Sequence, residues 1–499
     1  MNMLKVGIGI LPLILAVTGI RAFGASVNQE FHVSNVMELT NACVQANSNY
    51  NKIYLAPGIY DLSDIAMEEK SHIVMKGLNG GMIAGTGEKP GDTVLLGGGE
   101  EASRRVARFE RSCVVSNLTV TGGYVPGSSD SGGGCATATT VSYVDCVFSN
   151  NYAKNFAGAI DGGAGALRCL FKNNSSGASG GALRPSTQIS VSTFRDCTFA
   201  GNHSKQGGVA YYGAVWSNCV FTGNSSVENH GVARPGGYMN VFIDCVFSGN
   251  KIASGSWTCF SGAVATNCLF VSNDSGLGST IVESCTSLTG CKFLNNTCMP
   301  ILKSCGLRNC SLIGNVGNRS NSNDMIMDST LYNCLVAWNT GGGHSMSEIV
   351  SQSRLYNCTV VSNSYKGYAT ICGGAAVNTV FAQNYRYEEK RDILYSDLPA
   401  MTNCLWNVSS GTAPAQGGPV GSRQVDDVRF TDAANGDYTL QRKSPARNAG
   451  WNDVEYLEML GNTDLLGALR VFAGDGVGIV DIGCYECSVL APGMYLFLR

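Results

Sequence analysis

Four residues at one recurring place in the chain are of types that hold an anionic ligand: Asp161, Arg184, Tyr211 and Arg234. Each follows an aliphatic residue (Ile160, Leu183, Ala210 and Ala233) that comes just after a small-residue or glycine run such as Gly180-Gly181-Ala182. Strand alternation sends the aliphatic member inward and the four polar or aromatic residues outward. On successive parallel strands they stack at one coil each, which places Arg184 and Arg234 about 10 Å apart with Tyr211 between them. A guanidinium grips a carboxylate through two parallel hydrogen bonds, and an aromatic ring covers the apolar face of a sugar. The row is therefore expected to hold an anionic sugar chain, with Lys303 and Asp328 continuing it and His203 and His230 in turns nearby. The plainer reading is a solvated sheet face on which opposite charges of adjacent strands pair modestly. Catalysis asks for more. A sugar lyase needs an Arg or Lys base beside several acids that hold calcium, and a glycoside hydrolase needs two carboxylates on neighbouring coils. A single carboxylate stands near these arginines, so binding is expected rather than turnover, with no resident metal or cofactor.

The row presupposes a repeating scaffold, and the chain carries one. Its unit reads [N/D]-C-x-F-x-x-N, as in Asp145-Cys146-Val147-Phe148 with Asn151, Asp196-Cys197-Thr198-Phe199 with Asn202, and Asn218-Cys219-Val220-Phe221 with Asn224. Later copies drift but keep the frame, for example Asn357-Cys358-Thr359-Val360 with Asn363. Self-similarity at this period means a solenoid whose repeats bury their apolar faces against one another. Inside the unit Cys and Phe are two apart, β-branched residues are common and no helical stripe appears, so the unit is built of strands. The expected fold is all-β: a right-handed, single-stranded parallel β-helix with inward ladders of Cys and Phe. The Asn three past Phe is expected at a turn, in left-handed geometry and bonded to its counterpart in the next coil. Interchange of Asp with Asn before the cysteine marks that slot as structural.

Of 21 cysteines, eleven occupy the ladder slot: Cys146, Cys169, Cys197, Cys219, Cys245, Cys268, Cys291, Cys310, Cys334, Cys358 and Cys404. In-register parallel strands hold neighbouring Cβ atoms farther apart than a relaxed disulfide uses. These residues are accordingly expected to be reduced, buried and hydrophobic in role. Any disulfides are expected among the others, such as Cys285 with Cys305 or Cys484 with Cys487. Zinc is disfavoured because no histidine stands at ligand spacing from the one CxxC pair.

The chain of 499 residues carries 63 glycines, 14% charged residues and a net charge of −3. Glycine is spread along its whole length, as in one elongated unit. The charge offers no basic field, so nucleic acid and anionic membrane surfaces are not expected partners. Lys5, the apolar run 6–20 and Ala22-Phe23-Gly24 form an export signal pattern, and the run is too short for a membrane span.

The repeats, with G-[GA]-[AV] elements such as Gly158-Ala159-Ile160 and Gly207-Gly208-Val209, resemble polymorphic outer-membrane-protein repeats, a group of pectin-lyase-like right-handed β-helices. Near the start, 53–62 (IYLAPGIYDL) looks like the first coil of such proteins. Toward the end, Asp437-Tyr438-Thr439-Leu440, Ser444-Pro445-Ala446, Asp464 with Gly467 and Arg470, and Val480-Asp481-Ile482-Gly483-Cys484-Tyr485-Glu486 are similar to the choice-of-anchor Q domain of surface proteins. Arg447-Asn448 and Cys484 depart from its usual pattern. The expected map is a signal peptide (1–24), an N-terminal cap with the first coils (25–110), β-helix repeats (111–410), an anchor-Q-like cap closing the far end (411–487) and a short tail (488–499). A capping helix is expected over 36–46, with Ser34 as N-cap and Met37, Leu39 and Cys43 on its apolar side. The resemblance implies a secreted or bacterial cell-surface protein that binds an extracellular polysaccharide or surface glycan as an adhesin or display scaffold. The alternative it implies is a polysaccharide lyase or glycoside hydrolase.

Overall fold

The computed structural model describes residues 28–47, 49–137, 140–185, 192–235, 239–253, 257–275, 280–297, 300–317, 324–342, 348–367, 370–386, 400–407, 421–452, 460–470 and 478–487. The expected signal peptide and the short tail lie outside them. The chain is a right-handed parallel β-helix. Two sheets run its length with sixteen strands each: sheet I, from Glu30–Val33 to Ala400–Thr402, and sheet II, from Gly58–Asp61 to Arg423–Gln424. Two sets of shorter strands complete each coil. Sheet III begins at Tyr124–Val125. Sheet IV runs from Ser71–Met75 to Ala233–Arg234, and six strands from Trp257–Ser261 to Ile371–Cys372 take its place in later coils.

The corners explain the sequence motif. The residue before the ladder cysteine takes a left-handed backbone, with φ of 52° at Asp145, 51° at Asn218 and 57° at Asn333. Asn and Asp accept that conformation more readily than other non-glycine residues, which accounts for their interchange. A second left-handed residue lies one place before the ladder asparagine, for example Asn150, Gly201 and Ser272 with φ of 53°, 63° and 54°. The expectation for the asparagine itself is thus corrected: it is not the left-handed residue but the buried one next to it.

Eleven asparagines, Asn151, Asn174, Asn202, Asn224, Asn250, Asn273, Asn296, Asn315, Asn339, Asn363 and Asn384, are buried in one column. Asn224 shows the arrangement. Its Nδ2 donates to Phe199 O at 2.9 Å and to Asn250 Oδ1 at 3.0 Å, while its Oδ1 accepts from the backbone N–H and the Nδ2 of Asn202 at 2.9 and 3.0 Å. Both donors and both acceptor sites of the amide are filled, as burial demands.

Between the two corners lie the thiol and phenyl ladders. Phe148, Phe171, Phe199, Phe221, Phe247, Phe270 and Phe293 stack with centroids 4.5–5.2 Å apart. All eleven ladder cysteines are buried and free. Each thiol leans on backbone: Cys197 Sγ lies 3.2 Å from Arg195 O, and Cys146 N–H points at Cys169 Sγ at 3.4 Å. Thr379 fills the same slot, accepting from Cys358 N–H at 3.4 Å and donating to Val377 O at 2.9 Å. The slot therefore selects a small side chain with a polarisable or polar atom at its tip.

The expected disulfides are corrected by the same geometry. Cys285 and Cys305 are free, buried members of a second inward column, which continues through Ser329 and Ser353. Cys305 N–H donates to Ser329 Oγ at 3.1 Å and Ser329 N–H to Ser353 Oγ at 3.0 Å. Cys484 and Cys487 are free as well.

A helix, Val36–Gln45, covers the N-terminal end with Leu39, Ala42 and Cys43 buried. Its N-cap is Asn35, whose side chain accepts from Glu38 N–H at 3.0 Å, rather than Ser34, which instead donates to the Glu38 carboxylate. Met37 faces solvent. Among the described residues the C-terminal segment adds a last strand, Arg423–Gln424, to Leu405–Trp406 of sheet II. It lies along the flank of the last coils, where Val428, Phe430, Tyr438, Leu440, Ala446, Ile482 and Tyr485 pack on the outward residues Leu335, Ala337, Val361, Val380, Ala382 and Leu405 of sheet II. The residues of its motif do the holding. Arg470 pairs with Glu486 at 2.8 Å and bonds Asn333 Oδ1; Asp464 accepts from the backbone of Leu466, Ala468 and Glu486; Asp481 accepts from Asn448 and Cys487.

Replacing Asn224 with alanine strips partners from Asn202 N–H, Asn202 Nδ2 and Phe199 O, each worth about 1–3 kcal/mol when left buried and unbonded. Chemical denaturation of N224A is expected to show a loss of about 3 kcal/mol or more; a loss below 1 kcal/mol would contradict the ladder. In native protein a thiol reagent is expected to reach the partly exposed Cys372 and Cys487 first and the ladder thiols only on unfolding. Burial supports this by pushing the ladder thiol Cys404 up to about 12.

Candidate functional site

The row expected from alternation exists in sheet IV. Ile160 pairs with Leu183 and Asp161 with Arg184, Leu183 pairs with Ala210, and Tyr211 pairs with Arg234. The aliphatic members are buried and the other four are half-exposed on one face. Glycines make the tight approach possible. A Cβ on Gly181 would lie 2.3 Å from Gly208 O, and one on Gly208 would lie 2.3 Å from Gly231 O.

The chemistry of the row differs from the expectation. Arg184 and Asp161 form a two-bond ion pair, Nε to Oδ1 at 2.5 Å and Nη2 to Oδ2 at 2.7 Å, with the side chains 31% and 19% exposed. Arg234 is held too: its Nη1 donates to Gln206 Oε1, and its guanidinium lies over the Tyr211 ring at 5.0 Å. Phe156, which sequence reasoning missed, stacks on Tyr211 at 5.2 Å and carries Arg184 over its own ring at 4.7 Å. Tyr211 thus packs against protein groups, not as a bare platform for a sugar. Gln206 ends a sheet III strand (His203–Gln206) and Phe156 bridges to Ser179 of that sheet, so both reach the row from the neighbouring sheet and the row's own alternation did not mark them. Arg108 was also missed; it lies in the same outward row, two coils before Asp161, and pairs with Glu68 at 3.0 Å.

The other expected members separate. His203 is exposed on sheet III, its Nδ1 2.9 Å from Ser225 Oγ, around a loop from the row. His230 is buried in a left-handed turn (φ 62°) with Nε2 3.2 Å from Ser261 Oγ. Burial, helped by the charge of Arg234, lowers it to about 3. Lys303 stands in the six-stranded continuation and pairs with Glu283 at 3.2 Å. Asp328 leaves the row: Met327 pairs with Lys303, and Asp328 is the left-handed corner residue after it, with φ of 50°.

No family model and no curated protein matches the chain. Among solved structures it is similar to a tailspike protein of bacteriophage CBA120, with 12% identity, 79% of this chain and 59% of that one covered and a TM-score of 0.37. It is similar to the PL6 family alginate lyase AlyGC, with 13% identity, 86% and 58% covered and a TM-score of 0.33. A mannuronic-acid-specific polysaccharide family 6 lyase from human gut microbiota gives 11%, 82% and 92%, with a TM-score of 0.33. The chain thus spans less than two thirds of the first two, and the likeness is one of the β-helix fold. Among the described residues no helix is long and apolar enough to cross a membrane.

His230 supplies a pH test. Its folded pKa is depressed, so it stabilises the fold above about 6.5, and that contribution is lost as pH falls from there toward about 3, because only the unfolded chain takes up the proton. His230→Asn keeps a residue suited to the left-handed backbone and removes the titration. Below pH 6 the wild type is expected to lose up to about 1.4 kcal/mol more per pH unit than H230N in denaturant titrations. Parallel pH profiles would contradict the assignment.

Proposed function

We propose that the chain is an exported, non-catalytic β-helix protein that binds glycans through the outward row of sheet IV, as an adhesin or display scaffold at a bacterial surface. The observation that carries this reading is the planar Asp161–Arg184 pair. Side-on pairing uses Nε and Nη2 of the guanidinium, which leaves further N–H donors on Arg184 and further acceptor sites on Asp161 in a fixed plane. Vicinal sugar hydroxyls donate and accept at once, and a partner whose geometry is already set binds them with less ordering cost. Because the pair is internally neutral, it suits hydroxyl-rich glycans better than the anionic chain first expected for this face. Export rests on the pattern in residues 1–24, and the anchoring role on the anchor-Q-like residues of the flank segment.

The lyase or hydrolase alternative draws no support from this row. Asp161 commits both oxygens to Arg184, and Arg184 its Nε and Nη2 to Asp161. Neither group is poised to move a proton at substrate.

The test is a glycan array followed by calorimetry on neutral and uronate-containing chains, with assays for unsaturated products and new reducing ends. Binding without turnover is expected, and replacing both Arg184 and Arg234 with alanine is expected to lower affinity tenfold or more. That variant also leaves Asp161 half-buried without its partner, so a stability loss on the order of 1 kcal/mol is expected. Robust turnover, or unchanged affinity in the double variant, would contradict the proposal.

A further inference from the structure

A second outward row, on sheet I, also carries a guanidinium without a carboxylate partner, as the sheet IV row does at Arg234. It consists of the residues two places before the ladder cysteines in three consecutive coils: Arg308 pairs with Tyr332, and Tyr332 with Tyr356. The two tyrosine rings stack at 4.9 Å and 9°, and Arg308 lies over Tyr332 at 5.4 Å. Rings stacked along the helix axis turn their faces to each other and their edges and hydroxyls outward. Burial raises the Tyr332 phenol above its ordinary value, Tyr356 adds to this, and the charges of Arg308 and Arg354 pull it back. It is therefore a hydrogen-bond donor at neutral pH.

The neighbouring outward row of the same sheet runs Gly306, Thr330, Arg354, Ala375. Arg354 is exposed, and the other three side chains are short enough to leave it and the phenols reachable. The flank segment forms one side of this floor: a Cβ on Gly461 would lie 3.6 Å from Arg308 Nη1, and Thr463 O accepts from Asn333 Nδ2 at 3.3 Å.

Charge decides the occupant. Several cations elsewhere on the solenoid have carboxylate partners, Lys52 with Glu30, Arg108 with Glu68, Arg168 with Asp145, Arg184 with Asp161, Lys205 with Glu228 and Lys303 with Glu283, while Arg234 is held by Gln206 and Ser179 instead. Among the described residues Arg308 and Arg354 form no ion pair. They stand two coils and two residues apart, roughly 12 Å between Cα atoms. Two uncompensated guanidiniums at that separation favour a ligand carrying anionic groups at intervals along its length, rather than a single small anion.

We infer that Arg308, Tyr332, Arg354 and Tyr356 form a second binding site whose ligand is a linear anionic polysaccharide. Its carboxylate or sulfate groups pair with the two guanidiniums, and its hydroxyls meet the phenols. The inference borrows from the proposed function only the general class of ligand, and it uses none of the sheet IV residues.

The experiment is calorimetry of the mature chain at low salt with polygalacturonate, dextran sulfate and uncharged dextran. Polygalacturonate is expected to bind if carboxylates are read and dextran sulfate if sulfates are; binding of either, with the dependence on Arg308 and Arg354 below, supports the site. The double variant R308A/R354A is expected to lose tenfold or more in polyanion affinity and much of its salt dependence. R168A/K251A, which removes the same charge elsewhere, is expected to retain both. R308K/R354K should keep part of the affinity, and Y332F/Y356F should lose a few-fold by removing the hydroxyls alone, with melting curves confirming that each variant folds. Failure of the wild type to bind either polyanion, or equal affinity in R308A/R354A and R168A/K251A, overturns the site. Binding of neutral glycans that depends on Arg184 and Arg234 would leave the proposed function standing in either case.

Discussion

The asparagine column is the constraint on which the rest of the structure depends. A corner in a parallel solenoid exposes backbone groups that no strand partner satisfies, and eleven buried amides satisfy them coil by coil. Ten of these amides, Asn151 to Asn363, bond the coil on either side and Asn384 bonds the coil before it, so shifting one inner coil by a residue would break contacts at both. Because side-chain direction alternates along a strand, such a slip would also send the Cys and Phe ladders to the surface. The column is therefore what keeps aromatic stacks and thiols inside over the whole length, and what makes any outward row line up at all.

With register fixed, outward positions are released from the needs of folding, and their chemistry varies from coil to coil. In sheet IV the Asp161–Arg184 pair and the Phe156–Tyr211 stack give a pre-set surface, beside which Arg234 is held by Gln206 and the Tyr211 ring. In sheet I, Arg308 and Arg354 leave charge uncompensated beside paired tyrosines. In sheet II the outward aliphatics Leu335, Val361, Val380 and Leu405 are covered by the flank segment. One scaffold thus presents three faces of different character, and the flank segment borders two of them.

The solenoid was legible because its determinants repeat: the thiol, phenyl and asparagine slots recur with a left-handed residue before the first and third. The outward row of sheet IV was legible from the same periodicity, since alternation alone places Asp161, Arg184, Tyr211 and Arg234. What alternation within one sheet does not carry is contact from the neighbouring sheet, which is why Phe156 and Gln206 were missed, whereas the Asp161–Arg184 pair on adjacent strands is what the solvated-face reading expected. The sheet I row had a signal, the residue two before each ladder cysteine, but tyrosine and arginine there read as ordinary strand residues until Tyr332 and Tyr356 are seen in register. Cys285 and Cys305 looked like a disulfide because their column continues as serine, which hides its periodicity. His203 and His230 were grouped with the row by nearness in sequence alone, and a strand face and a buried turn divide them.

Hydrogen–deuterium exchange of the unliganded protein tests the register constraint directly. The backbone amides of Asn174, Asn202, Asn224, Asn250 and Asn273 each donate to the side chain of the next coil's asparagine, at 2.9–3.1 Å. They are expected to exchange together, at the slowest rates in the chain, since opening one requires parting two coils. Fast or scattered exchange along that column, with protection concentrated instead in the loops between sheets III and IV, would contradict the account.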